Sequence, residues 1–159
     1  MMMNNKDNGK LRIANPLSQW QAAFVIIVLL WAGMILGISF LEAWAKFQTP
    51  MLTLQAGLDI GRHVYGVFRI VEVILALLGL ISLYNSNSTS KWKLLYFTVL
   101  ISVAIQNLYL MPAMNHQILR IFSGQIPAYP QFHTFYIVLE TYKVSCLLFL
   151  ALWTMTSYG

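Results

Sequence analysis

Four apolar runs, each about as long as a bilayer is thick, constrain this chain more than any other feature. The first contains no charged residue from Gln21 to Leu41 and extends over about 20–47. The others cover about 61–84, 92–111 and 132–155. About 20 apolar residues in helical form cross the roughly 30 Å hydrocarbon core of a membrane. In lipid every backbone polar group needs an internal partner, so runs of this length are predicted to be helices. Composition agrees: 58% of the 159 residues are hydrophobic and 9% are charged, against about 25% charged in soluble domains. The expected class is all-α, an integral membrane four-helix bundle running up-down-up-down over 20–156, behind a disordered cytoplasmic tail over 1–19.

The connectors fit this plan. "NSNSTSK" (85–91) reads as a polar turn, and "SGQIPAYPQ" (123–131) as a loop. Pro112 marks the end of the third span or a kink in it. "QTPMLTLQAGLD" (48–59) is moderately apolar and fits a helix, a lid or a loop. The "AWA" at 43–45 resembles a signal-peptidase site. However, the run before it exceeds the roughly 7–15 residues of a signal core, so 20–47 reads as a retained helix.

Four spans put both termini on one side. Lys6, Lys10, Arg12, Lys91 and Lys93 fall on that side, and Lys46, Arg62, Arg120 and Arg69 on the other. The positive-inside rule then makes both termini cytoplasmic. The basic excess of +5 is spread over tail and loop, so no nucleic-acid patch is expected. One cysteine, Cys146, supports neither a disulfide framework nor a thiolate cluster, and reads as a small buried hydrophobe.

The polar residues gather in the half away from the termini. At about 100° per residue, His133, Tyr136, Glu140 and Lys143 form one stripe. Arg62, Tyr65, Arg69 and Glu72 form another, continued by Ala76 and Gly79. Ser102, Gln106, Tyr109 and Ala113 share a face of the third helix. A charge facing lipid costs about 2.5–3.5 kcal/mol, so these faces should turn inward to make a polar cup. Three acid–base pairs are expected at helical spacing: Glu42 with Lys46, Arg69 with Glu72, and Glu140 with Lys143. They would leave the cup charge-balanced, with Glu42 turned inward and Lys46 outward.

The same residues admit a structural ion-pair network, a site for a small polar or amphiphilic ligand, or carriers of a proton- or ion-coupled transporter. A Glu140–His133 or Glu72–Tyr136 acid/base pair would be needed for catalysis, but no spacing marks a catalytic motif, so the reading leans away from an enzyme. No cofactor is expected. His63, His116 and His133 lie near the membrane edge, and haem or copper stays open only as a histidine pair from two helices. "GMILG" (33–37) places Gly33 and Gly37 for close helix packing, within the chain as the simpler use, or against a second copy in a homo-oligomer.

At "LLWAGMILGISFLEAWAKFQTP", "LDIGRHVYGVFRIVE" and "FHTFYIVLETYK" the chain resembles a family of small four-helix bacterial membrane proteins of unknown function. The matching positions are Trp31, Gly33, Phe40, Glu42 and Lys46, then Gly61, Arg62 and Glu72, then His133, Tyr136, Glu140 and Lys143. More distantly it is similar to copper-resistance-type membrane domains, without the methionine and histidine clusters that copper handling uses. The resemblance covers about 20–155 and implies the four-helix fold, the bacterial cytoplasmic (inner) membrane and these site residues, but no activity.

Overall fold

The computed structural model describes residues 17–86, 88–125 and 131–158. The tail expected over 1–19, with Lys6, Lys10 and Arg12, lies almost wholly outside the described residues, as does part of the 123–131 loop. Among the described residues there are four long helices and no strand. They are α1 (Gln19–Lys46), α2 (Leu54–Asn85), α3 (Ser90–Phe122) and α4 (Gln131–Tyr158). All four are long and apolar enough to cross a membrane.

Local chemistry sets the helix starts. Ser18 caps α1 with a reciprocal pair: its Oγ accepts from the Gln21 amide at 3.2 Å, and Gln21 Oε1 accepts from the Ser18 amide at 2.8 Å. Thr53 Oγ1 accepts from the Ala56 amide at 3.3 Å and opens α2. α2 therefore starts at Leu54 and absorbs much of the 48–60 segment, whose conformation the sequence leaves open.

Two helices contain a π-helical stretch, Leu36–Glu42 in α1 and Gln106–Leu110 in α3. The second ends just before Pro112. Proline has no amide hydrogen to donate, and α3 passes through it, after this change of hydrogen-bond register, to reach Phe122.

α1 packs between α2 and α4, and α3 packs mainly on α4. In the half toward the termini the core is hydrocarbon and aromatic. Phe24, Val28, Trp31 and Ile35 of α1 meet Tyr96 and Val99 of α3 and Leu147 and Leu150 of α4. Tyr96 is the keystone, with its ring edge-on to Phe24 (5.6 Å) and to Trp31 (6.4 Å). Its hydroxyl donates to the Ala76 carbonyl of α2 at 2.8 Å. That approach requires Gly79, because a Cβ there would run into the Tyr96 hydroxyl.

Gly33 and Gly37 behave differently. A Cβ at either would meet nothing within 4 Å, so the expectation that this pair packs within the chain is not met: both lie off the face that α1 turns to its neighbours. Gly79→Ala should therefore lower stability by about 1–3 kcal/mol through overpacking, whereas Gly33→Ala should be neutral or slightly stabilising. Thermal melts of the detergent-solubilised variants check both; equal effects would remove the proposed role of the Tyr96–Ala76 contact.

Candidate functional site

Five of the residues singled out by helical spacing meet at one buried point. Glu72 is 3% exposed, Gln106 2%, Tyr136 4%, and Glu140 and Lys143 are 0% exposed. Lys143 Nζ donates to Glu140 Oε1 at 2.9 Å and also to Glu72 Oε1, bridging α4 to α2. Gln106 Nε2 of α3 donates to Glu140 Oε1 at 2.9 Å. α1 supplies two more donors. Trp31 Nε1 reaches Glu72 Oε1 at 3.1 Å, and Ser39 Oγ reaches Glu140 Oε2 at 3.3 Å. All four helices thus put a polar group on one centre. Depth matters here: at about 1.5 Å per residue, roughly 20 Å of helix separate Glu72 from the end of α2, so these charges sit well inside the span.

The π-helical stretch of α1 explains how Ser39 arrives, since Ser39 lies within it, whereas Gln106 stands at the head of the second stretch and keeps the face of Ser102, four residues earlier. Widening the turn rotates the residues that follow, and π-turns occur often at functional sites. The same rotation corrects one expectation. Tyr109 does not share the inward face with Ser102 and Gln106; it is exposed, with its ring edge-on to Phe132 (6.3 Å), and Leu110 is buried instead.

Arg69 is a second correction. It forms no ion pair with Glu72 and is exposed. Three residues along a helix of 3.6 per turn leave it about 60° round from Glu72, over the rim of the buried face, while Lys143 takes the carboxylate. The pair expected at Glu140 and Lys143 does form. The buried centre is consequently not charge-balanced: it holds two carboxylates against one ammonium.

Above this centre, in the half away from the termini, lies an open pocket of about 340 Å³. Its walls are mostly apolar, including Phe40, Trp44, Met111, Met114 and Ile137, and its polar groups include Lys46, Arg62 and His133. Lys46 turns into the pocket, with its side chain 11% exposed against 28% for Glu42, its partner at 3.3 Å. Lys46 is thus turned inward where an outward orientation was expected, and Glu42 stays half-buried beside it. Gly61 makes room for the ammonium: a Cβ there would lie 2.7 Å from Lys46 Nζ. The Tyr65 ring lies 5.8 Å from the same nitrogen. Arg62 pairs with Asp59 at 3.2 Å.

Pocket and centre are joined by two residues. Ser39 lines the pocket and donates to Glu140. Tyr65 also lines it, donates to the Ser39 carbonyl at 3.5 Å and stands edge-on to Tyr136 (5.6 Å). Trp31 and Ser39 are the polar donors that spacing missed. A tryptophan and a serine inside an uncharged run read as packing, and only their contact with carboxylates on other helices shows otherwise. Among the described residues no group of three or more His, Cys, Asp or Glu is arranged to hold a metal ion.

No family model, curated protein or solved structure matches this chain.

Removing one partner of a buried ion pair strands the other charge, at a cost of about 3–5 kcal/mol. Lys143→Met should therefore destabilise the protein by that amount or abolish folding. The triple variant Glu72→Gln, Glu140→Gln, Lys143→Met should recover most of the loss, because no charge is left buried alone. Unfolding in mixed micelles measures both; a tolerant Lys143→Met would mean that the carboxylates do not depend on the lysine.

Proposed function

We propose that this is a multi-pass protein of the bacterial cytoplasmic membrane, with both termini cytoplasmic, that binds an amphiphile in the pocket between α1, α2, α3 and α4. The observation that carries the reading is the pocket itself. A cavity of about 340 Å³ falls in the size range of small-molecule sites, which pair apolar walls with a few placed polar groups. Here Phe40, Met111, Met114 and Ile137 would hold an apolar body, while Lys46, Arg62 and His133 would receive a polar head. Ser39 and Tyr65 form the floor and carry any change in the ligand's head group to Glu140 and Tyr136. The open mouth and apolar lining suit entry from the bilayer. A second copy of the chain would pack on Gly33 and Gly37, where close helix approach is sterically open.

Proton- or ion-coupled transport, the alternative, would use Glu72 and Glu140 as carriers. Toward the termini these carboxylates are followed by Tyr96, Val28, Leu147 and Leu150, all buried, which favours binding over passage. Glu72→Gln in proteoliposomes separates the two: loss of proton-coupled flux from a folded variant would replace the binding reading.

Organic extraction of the purified protein, followed by mass spectrometry, tests the binding reading directly. Wild type should release a stoichiometric amphiphile. Met114→Trp, which fills the pocket, should lower its affinity roughly tenfold, or about 1.4 kcal/mol, with an unchanged melting temperature. Equal recovery from both proteins would remove the pocket as the binding site.

A further inference from the structure

The buried centre has a property that neither ion pairing nor the pocket uses. It carries two carboxylates, Glu72 and Glu140, and one ammonium, Lys143, all essentially inaccessible. Fully ionised, it holds one surplus negative charge deep in a low-dielectric region, an arrangement that burial penalises heavily. Beside it lies a buried carbonyl oxygen with no partner: Gln106 Oε1 accepts no hydrogen bond among the described residues. Reversing the amide does not help. The Gln106 nitrogen already faces two acceptors, Glu140 Oε1 at 2.9 Å and the Tyr136 carbonyl at 3.4 Å, so an oxygen placed there would meet oxygen on both sides. The amide orientation is therefore fixed, and the carbonyl is left without a donor. Gln106, Glu72 and Asn107 all line one small cavity of about 10 Å³, close to the volume that one water-sized sphere occupies.

We infer that this cavity is a site for a sodium ion, held by the Gln106 carbonyl and the Glu72 carboxylate. A hard, singly positive ion cancels the surplus charge and satisfies the orphaned oxygen at once. Oxygen-only ligation suits such cations and offers nothing to soft metals. The other ionisable groups around the site are few. α2 contributes Tyr65 and Arg69, α4 contributes Tyr136, Glu140 and Lys143, α1 presents the neutral Trp31 indole, and α3 contributes only amides. Arg69 is the cationic residue among the described residues lining the cavity, and competes for the role by swinging inward. The cavity adjoins the amphiphile pocket, sharing Tyr65 and Met111 in its lining, but Glu72 and Gln106 belong to it alone, so the inference does not need that pocket to be filled.

The test is thermal stability of the wild-type protein in nanodiscs at fixed ionic strength, with sodium exchanged against choline and, separately, with acidity varied in choline alone. A ligand that binds only the folded state raises the melting temperature with its concentration. Sodium-dependent, saturable stabilisation supports the site, whereas stabilisation by acid without a sodium response overturns it, because protonation of Glu72 or Glu140 would then remove the surplus charge with no bound ion. Glu72→Gln, which removes the surplus charge, should abolish the sodium response, and Gln106→Leu should weaken it at least severalfold. If those variants do not fold, binding of radioactive sodium to wild type, with acid as competitor, reads the same site without substitution. A melting temperature indifferent to sodium, with no sodium bound, overturns the proposal. So does a response that is absent in wild type and appears in Arg69→Gln, because it would assign neutralisation to the arginine.

Discussion

Lys143 bridges two carboxylates from different helices inside a hydrocarbon core, and most of the structure follows from keeping it there. Lipid tails are as apolar as leucine, so helices in a membrane gain little from burying apolar faces on one another. Polar contacts and close packing carry a larger share of association. The Glu72–Lys143–Glu140 centre fixes α2 against α4. Trp31 and Ser39 tie α1 to it, and Gln106 ties α3. Moving any helix by one residue would rotate its contribution by about 100° and leave a charge or a donor facing lipid. Register is thus set by electrostatics, and hydrocarbon fills the space around it.

The two halves of the bundle are built on opposite rules. Toward the termini, Tyr96 closes the packing with two edge-on aromatic contacts and a hydrogen bond to a backbone carbonyl that Gly79 leaves reachable. Among the described residues no charged side chain is buried in that packing. Away from the termini, packing gives way to an open pocket, and the helix ends around it carry Asp59, Arg62 and His133. Trp31 belongs to both halves: its ring packs on Tyr96 while its indole N–H holds Glu72. Disturbing either half therefore reaches the other through one side chain.

Fold class and span number were legible because twenty-residue apolar runs have one structural solution in lipid. Glu72, Gln106, Tyr136, Glu140 and Lys143 were legible because a regular helix keeps them on one face and burial of charge is costly anywhere else. What spacing could not resolve has three physical sources. An i,i+3 pair lies about 60° apart, so the partner of Glu72 was decided by which cation sat on the inner side of the rim, and Lys143 won over Arg69. The π-helical stretches shifted the phase of α1 and α3, taking Tyr109 out and aiming Ser39 at Glu140. The orientation of Lys46 depended on the space above Gly61, a feature of packing between helices that no single-helix pattern contains.

A network kept only for stability should be closed: every charge compensated, every acceptor occupied. Apolar side chains of similar volume commonly serve that purpose as well as a buried ion pair or better. The centre here departs from closure in two coincident ways, with one negative charge in excess and one amide oxygen unpartnered at Gln106. It is also adjacent to a pocket through Ser39 and Tyr65 rather than sealed from it. Each departure costs free energy in a medium that cannot solvate it. Both departures lie at one point, at the π-helical stretches and next to the pocket that Lys46, Arg62 and His133 rim, so stability alone does not account for the centre. The ion pairs of Lys143 hold the helices, and the imbalance among the groups around it is what ion pairing alone leaves unexplained.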